Sequence, residues 1–128
     1  MKIYLSGKIT GDANYRQKFG SMEKELLSYG YMVFNPAILP DGFEYEDYMD
    51  LDLLILSRCD AIFLMRDWKN SPGANREYEE ALTREREYKI KEIIKYVNSL
   101  TAKAARQELI EKLIDEYDEE MERKNRYW

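Results

Sequence analysis

An α/β fold, a parallel sheet with helices packed over it, is predicted by three features of the sequence. Apolar runs of strand length alternate with stretches of helical periodicity, in the order strand, helix, strand, helix, strand, helix. The run AIFLM at 61–65 is almost wholly apolar and β-favouring, as a central buried strand requires. Each strand-like run is also followed by a polar segment that holds Gly or Pro: Ser6-Gly7, Asn35-Pro36 and residues 66–73.

The elements follow in order. KIYLS at 2–6 reads as a short strand, with Ile3 and Leu5 apolar, Tyr4 amphipathic and Ser6-Gly7 as the break. Gly7 and Gly11 bracket a turn-rich loop, GKITGD. From Asn14 to Tyr29 the apolar positions Tyr15, Phe19, Met22, Leu26 and Leu27 recur at helical spacing, and Gly30 stops the helix. YMVFN at 31–35 is a second strand closed by Pro36, and PAILPDGFEYE is an irregular loop. Residues 46–57 are helical, with Tyr48, Leu51, Leu54 and Ile55 on one side.

After the strand at 61–65 comes a loop from Trp68 to Gly73. A helix begins near Ala74, with Tyr78, Ala81 and Leu82 facing inward. In YKIKEIIKYV at 88–97, Ile90, Ile93, Ile94 and Val97 fit a helix, while Ile94 and Tyr96 fit one strand face and Ile93 and Val97 the other; a strand around 92–97 is the expectation. Thr101 reads as the N-cap of a last helix reaching about Lys124. Its apolar stripe is Ala102, Ala105, Leu109, Leu113, Tyr117 and Met121. The expected architecture is a Rossmann/flavodoxin-like parallel sheet of about four to five strands with flanking helices, plus a C-terminal amphipathic helix. Residues 1–98 form the α/β domain. Residues 99–128 form that helix, a packing or oligomerisation element.

Composition narrows the chemistry. The 128 residues suffice for one core, and 11 tyrosines, 4 phenylalanines and 2 tryptophans exclude wholesale disorder. The formal charge of −5 argues against a surface for a nucleic-acid polymer, though not against a small nucleotide. No apolar run is long enough for a membrane span or signal peptide, so a cytoplasmic location is the expectation. Cys59, the single cysteine, fits a reducing compartment. There is no histidine, so acid–base work falls to carboxylates, Tyr, Lys or Cys.

In a parallel sheet, ligands bind beyond the carboxyl ends of the strands, where the three polar segments converge. SPGANRE at 71–77 opens the helix there. A helix start exposes unpaired N–H groups that can seat a phosphate, with Ser71 and Gly73 allowing close approach. The plainer reading is that Ser71 or Gly73 caps the helix and Glu77 is a surface residue. Upstream, Asp50 and Asp52 cannot share a helix face, so one lies near the ligand edge and the other in solvent. Asp60 is a third candidate, read as structural, and Cys59 packs. The SGKITGD loop matches neither GxGxxG nor GxxxxGK[ST]. The aromatics Phe43, Tyr45, Tyr48 and Trp68 are available to stack on a base or to close the core. Tyr48 and Trp68 are the candidates for ligand contact.

In order, MKIYLSGKITG, a DL-rich helix ending in CDAIFLM, and WKNSPGANREYEEA together resemble the nucleoside 2-deoxyribosyltransferase superfamily, nearest to its small phage and bacterial DUF4406-type branch. The deoxynucleoside 5′-monophosphate N-glycosidases are a characterised cousin. The resemblance covers about residues 1–82 and extends toward 97. It implies that Glu77 attacks the anomeric carbon of a (deoxy)ribose to give a covalent glycosyl-enzyme, with Asp52 as general acid for the departing base. It further implies that Ser71 and Gly73 accept a phosphate and that Ser6, Gly7, Ile9 and Gly11 contact sugar or phosphate. The chain departs from the family pattern after the Glu77 helix, where TREREYK replaces a Gly-containing turn.

The expected activity is therefore cleavage or transfer at the N-glycosidic bond of a nucleoside or nucleoside 5′-monophosphate. It needs no cofactor and no metal, and the helix start favours a phosphorylated substrate. The expected partners are that small molecule and further copies of the chain, as a dimer or larger. The alternative is a binding module, a sensor or sponge for a nucleotide or ribosylated signal in the same pocket.

Overall fold

The computed structural model describes residues 1–100 and 103–125. Among them lie three strands, β1 (Lys2–Ser6), β2 (Met32–Phe34) and β3 (Ala61–Leu64), and four α-helices. The helices are α1 (Tyr15–Ser28), α2 (Tyr45–Leu56), α3 (Pro72–Leu100) and α4 (Lys103–Asn125), with short 3-10 turns at Pro36–Ile38 and Trp68–Asn70. The fold is mixed α/β around a parallel sheet of order β2-β1-β3. Ile3 of β1 lies level with Val33 on one side and Ala61 on the other.

Side-chain alternation along β1 divides the interior into two parts. Ile3 and Leu5 share one face, in a core cluster with Phe19 and Leu26 of α1, Ala37 and Met65. Tyr4 and Ser6 share the other face and are fully buried. The Tyr4 ring stacks on Phe34 of β2, with centroids 5.8 Å apart. Burial on both faces is what a central parallel strand demands.

The loop after β1 is tied to the segment after β3 through one lysine. Lys18 Nζ of α1 donates to Lys8 O at 2.8 Å and to the carboxylates of Asp12 and Asp67. Asp67 Oδ1 in turn accepts the Lys8 N–H at 3.1 Å. Gly11 turns this loop at φ +81°, and Gly30 stops α1 at φ +86°, both conformations that side chains disfavour.

Several expectations need correction. Among the described residues the sheet has three strands rather than four or five, and residues 92–97 lie inside α3. Ile93 and Val97, one helical turn apart, are buried, whereas Ile94 and Tyr96 are exposed. Helical periodicity outweighs the β-branched content here, within a run of good helix formers that satisfies its own backbone hydrogen bonds. The 61–65 strand is an edge of the described sheet with half-buried residues, and β1 takes the central place. The face of α2 is also rotated from the one expected. Leu51 is 43% and Leu54 57% exposed, while Met49, Asp52 and Leu56 are buried.

The chain forms two compact units, Met1–Leu82 and Thr83–Trp128. In the second, Arg86 of α3 forks onto Asp118 of α4 with contacts of 2.7 and 2.8 Å. Leu109, Leu113, Tyr117 and Met121 are half-buried along α4 and Ala105 is exposed. The cap expected at Thr101, and Ala102 of the stripe, lie outside the described residues. No helix among the described residues is long and apolar enough to cross a membrane.

Gly7 shows how tightly the end of β1 meets the segment after β3. A Cβ there would stand 3.1 Å from both Cβ and Sδ of Met65 and 3.2 Å from Asp67 Oδ1. Gly7→Ala is expected to lower stability by about 1 to 3 kcal/mol in urea denaturation, as overpacking does. Gly20→Ala in α1, with nothing within 4 Å, is expected to leave stability unchanged or raise it by up to about 1 kcal/mol. Equal effects at the two positions would refute the close approach.

Candidate functional site

A cavity of about 600 Å³ opens where the strands end, the size of a small-molecule site. Gly7 and Ile9 from the loop after β1, Pro36 after β2, and Asn70 to Ala74 after β3 contribute to its wall. α2 and the segment before it add Phe43, Tyr45, Tyr48 and Met49, so much of the wall is apolar and aromatic. Two buried carboxylates belong to the wall, Asp52 from α2 and Glu77 from α3.

Glu77 reaches the polar face of β1. Tyr4 Oη donates to its Oε2, and Ser6 Oγ donates to its Oε1 at 3.0 Å. Each oxygen of a carboxylate 5% exposed thus has a fixed donor. Asp52, 7% exposed, has the opposite character: its Oδ1 is buried and has no hydrogen-bond partner among the described residues. A buried polar atom without a partner in a cavity wall is open to a ligand.

Desolvation dominates the electrostatics. Burial raises the Glu77 carboxyl to about 7, the Tyr4 and Ser6 hydrogen bonds pulling it down and the Asp52 charge pushing it up. Burial raises Asp52 to about 6, with the Tyr4 hydroxyl pulling the other way. Tyr4 itself is driven far above the usual phenol range, first by burial and then by the two carboxylate charges. It therefore stays a donor at every physiological pH. Two buried carboxylates sharing one phenol titrate as a coupled pair near neutrality.

The helix start follows the plain reading in part. Ser71 Oγ accepts the Ala74 N–H at 3.1 Å and caps α3. Glu77 does not follow that reading, since it is buried rather than on the surface. α2 turns Asp52 inward and leaves Asp50 exposed. Asp60 accepts the Lys2 N–H at 2.8 Å and latches the edge of the sheet. Cys59 is half-buried, and burial raises its thiol pKa, which suits packing rather than nucleophilic chemistry.

Of the residues named from the sequence, Glu77, Asp52, Gly7, Ile9, Ser71, Gly73 and Tyr48 meet at this cavity. Ser6 supports Glu77 from behind. Gly11 and Trp68 are not part of the wall, and the Trp68 ring packs on Tyr78 with centroids 4.9 Å apart. Tyr4 is the residue the sequence reading missed. Strand alternation contained the signal, because Tyr4 must share a face with Ser6. Tyr15, Asp41 and Asn70 also join the wall without a motif to mark them. No group of side chains suited to a metal ion occurs among the described residues.

Residues 1–91, which include the whole cavity, match the family model "Domain of unknown function (DUF4406)", and the chain belongs to that family. Neither a search of curated proteins nor one of solved structures returns a match.

The raised Glu77 pKa has a consequence for stability. A carboxyl raised from 4.5 to about 7 binds its proton more tightly in the folded chain than in the unfolded one. Its stabilising contribution is complete below pH 4.5 and lost as pH rises through about 7. Glu77→Gln is therefore expected to gain about 2 to 3 kcal/mol relative to the native chain between pH 4.5 and 8. Urea denaturation at several pH values reads this difference, and parallel profiles for the two proteins would refute the buried, raised carboxyl.

Proposed function

We propose that this member of the DUF4406 family cleaves or transfers at the N-glycosidic bond of a nucleoside or nucleoside 5′-monophosphate. The observation that carries the reading is the pair of buried carboxylates in one cavity with unlike surroundings. Glu77 has hydrogen-bond donors on both oxygens, which partly offset the effect of burial on its anion and orient it as the nucleophile. Asp52 has an oxygen free of protein partners, suited to carry a proton to a leaving base. Two carboxyl groups with environments this different are the usual division of labour at a glycosidic carbon.

In the first step a Glu77 oxygen bonds to C1′ as the C1′–N bond breaks, and the Asp52 proton goes to the departing base. In the second step water or another base bonds to C1′ and releases Glu77, and Asp52 takes the proton back. Tyr4 stays protonated and holds Glu77 throughout. The aromatic wall of Phe43, Tyr45 and Tyr48 offers a flat base a surface to lie against. The order β2-β1-β3 and a cavity beyond the strand ends support the Rossmann/flavodoxin-like reading. The resemblance of 71–77 and the upstream DL-rich helix to the nucleoside 2-deoxyribosyltransferases supports the assignment of Glu77 and Asp52. The half-buried apolar stripe of α4 supports a homo-oligomer, a dimer or larger.

Chromatography of free base released from a panel of nucleosides and their 5′-monophosphates, ribo and deoxy, tests the reading. The native chain is expected to release base, with or without an acceptor base. Glu77→Gln is expected to lower the rate by at least about 10³-fold, and Asp52→Asn by about 10² to 10⁴-fold. Release by neither native nor variant protein, with affinity retained, would instead favour a sensor or sponge for the same ligands.

The pH profile is a separate check. Turnover needs Glu77 ionised and Asp52 protonated, the minor arrangement of a pair in which burial holds Glu77 at about 7 and Asp52 at about 6, so kcat/KM is expected to be bell-shaped with its maximum between about 6 and 7. A profile flat from pH 5 to 8 would remove the pair from the mechanism.

A further inference from the structure

The charges at the cavity wall are one-sided. Asp41, Asp52 and Glu77 belong to it, and among the described residues no Lys or Arg does. Of the cations on neighbouring residues, Lys8 acts on Asp12, Lys69 lies over the Trp68 ring outside the wall, and Arg16 and Arg76 are each engaged by a carboxylate. Arg16 Nη2 bonds Asp41 Oδ1 at 3.0 Å while its Nε donates to Ala37 O at 3.3 Å. Arg76, which interacts with Tyr45 of the wall, forks onto Glu46 at 2.9 and 3.1 Å. Lys18 is committed to Asp12, Asp67 and Lys8 O.

The start of α3 does not make up the deficit. Pro72 has no N–H, and the Ala74 N–H is used by Ser71 Oγ, which leaves Gly73 with the free backbone donor of the first turn. A phosphate dianion brought here would meet one N–H and the Ser71 hydroxyl, no cationic side chain in the wall, and two carboxylates of the same wall. Such a dianion loses its hydration without replacement. A positively charged aromatic base meets the reverse: two carboxylates and the rings of Phe43, Tyr45 and Tyr48 in one wall, both able to attract a cation.

We infer that the cavity selects its ligand by charge, taking nucleosides with a cationic or neutral base, above all a permanently positive N-alkylated base, and rejecting nucleoside phosphates. This rests on the N-glycosidase reading for the chemistry but on the charge of the wall for the selection. It narrows the two substrate classes to the unphosphorylated one. It also changes the demand on the acid. When the C1′–N bond of a cationic nucleoside breaks, the electron pair neutralises the base, which leaves without a proton. Glu77 still forms the bond to C1′, and Asp52 is needed only to take the proton from the water that releases the sugar.

Matched sets test this at pH 8, where Asp52, Glu77 and the phosphate are largely ionised: nicotinamide riboside, whose charge is permanent, with its 5′-phosphate, and guanosine with guanosine 5′-monophosphate. Affinities of the native chain are measured by titration calorimetry where no base is released, and as competitive inhibition constants where it is. The expected order is cationic nucleoside, then neutral nucleoside, then monophosphate, with at least about a tenfold span. Equal or tighter binding of the monophosphates overturns the inference, and so does binding of no member at millimolar concentration.

Asn70→Lys, which adds a cation to the wall, is expected to shift the affinity ratio toward guanosine 5′-monophosphate by about fivefold or more. An unchanged ratio also overturns the inference. Base release is read separately in every case. The expected affinity order without release from any member removes the N-glycosidase reading and leaves charge selection standing. Release with the order inverted removes charge selection and leaves the reading.

Discussion

The structure turns on one buried contact, the clasp of Tyr4 and Ser6 on Glu77. It joins the central strand to the first turns of α3 and places a carboxylate where water scarcely reaches. Burying such a group is unfavourable unless it is hydrogen-bonded or keeps its proton. This site does both, with two hydroxyl donors and a carboxyl raised to about 7. An apolar side chain would fill the place at lower free energy, as replacements of buried ionic groups often do. A buried, partly protonated carboxyl in the wall of a cavity is the kind of feature that chemistry explains and packing does not.

The neighbouring elements follow from this contact. α2 must present Asp52 to the same space, and it does so by burying Met49, Asp52 and Leu56 while leaving Leu51 and Leu54 to solvent. The loop after β1 contributes Gly7 and Ile9 to the cavity wall and must hold its shape. Gly7 permits the close approach to Met65, and Lys18 gathers the loop and Asp67 into one ionic cluster. Since Lys18 and its partners are only partly exposed, that cluster is less screened than a surface pair.

Unlike environments also explain how a chain without histidine can place two titrating groups near neutrality. Burial lifts both carboxyls toward the range that His occupies unperturbed. Their hydrogen bonding sets them apart, with donors on both oxygens of Glu77 and an empty acceptor on Asp52. The phenol between them cannot ionise there, so it works as a fixed donor.

What the sequence determined by itself was the local grammar. Alternating strand and helix patterns, the stop at Gly30, the polar segments after the strands, and the order of S-x-G and Glu77 could all be read from neighbours in the chain. These features specified α/β architecture and part of the cavity wall. The tertiary structure decided what depends on residues far apart. Whether 92–97 is strand or helix was not legible, because its apolar positions fit both periods until burial chose Ile93 and Val97. The inward face of α2 was misread because hydrophobicity pointed to Leu51 and Leu54, whereas the cavity required Asp52. Tyr4 stayed hidden for the same reason: its partner is 73 residues away. A side chain's pKa and donors are properties of what surrounds it, and the chain alone does not state those surroundings until it folds.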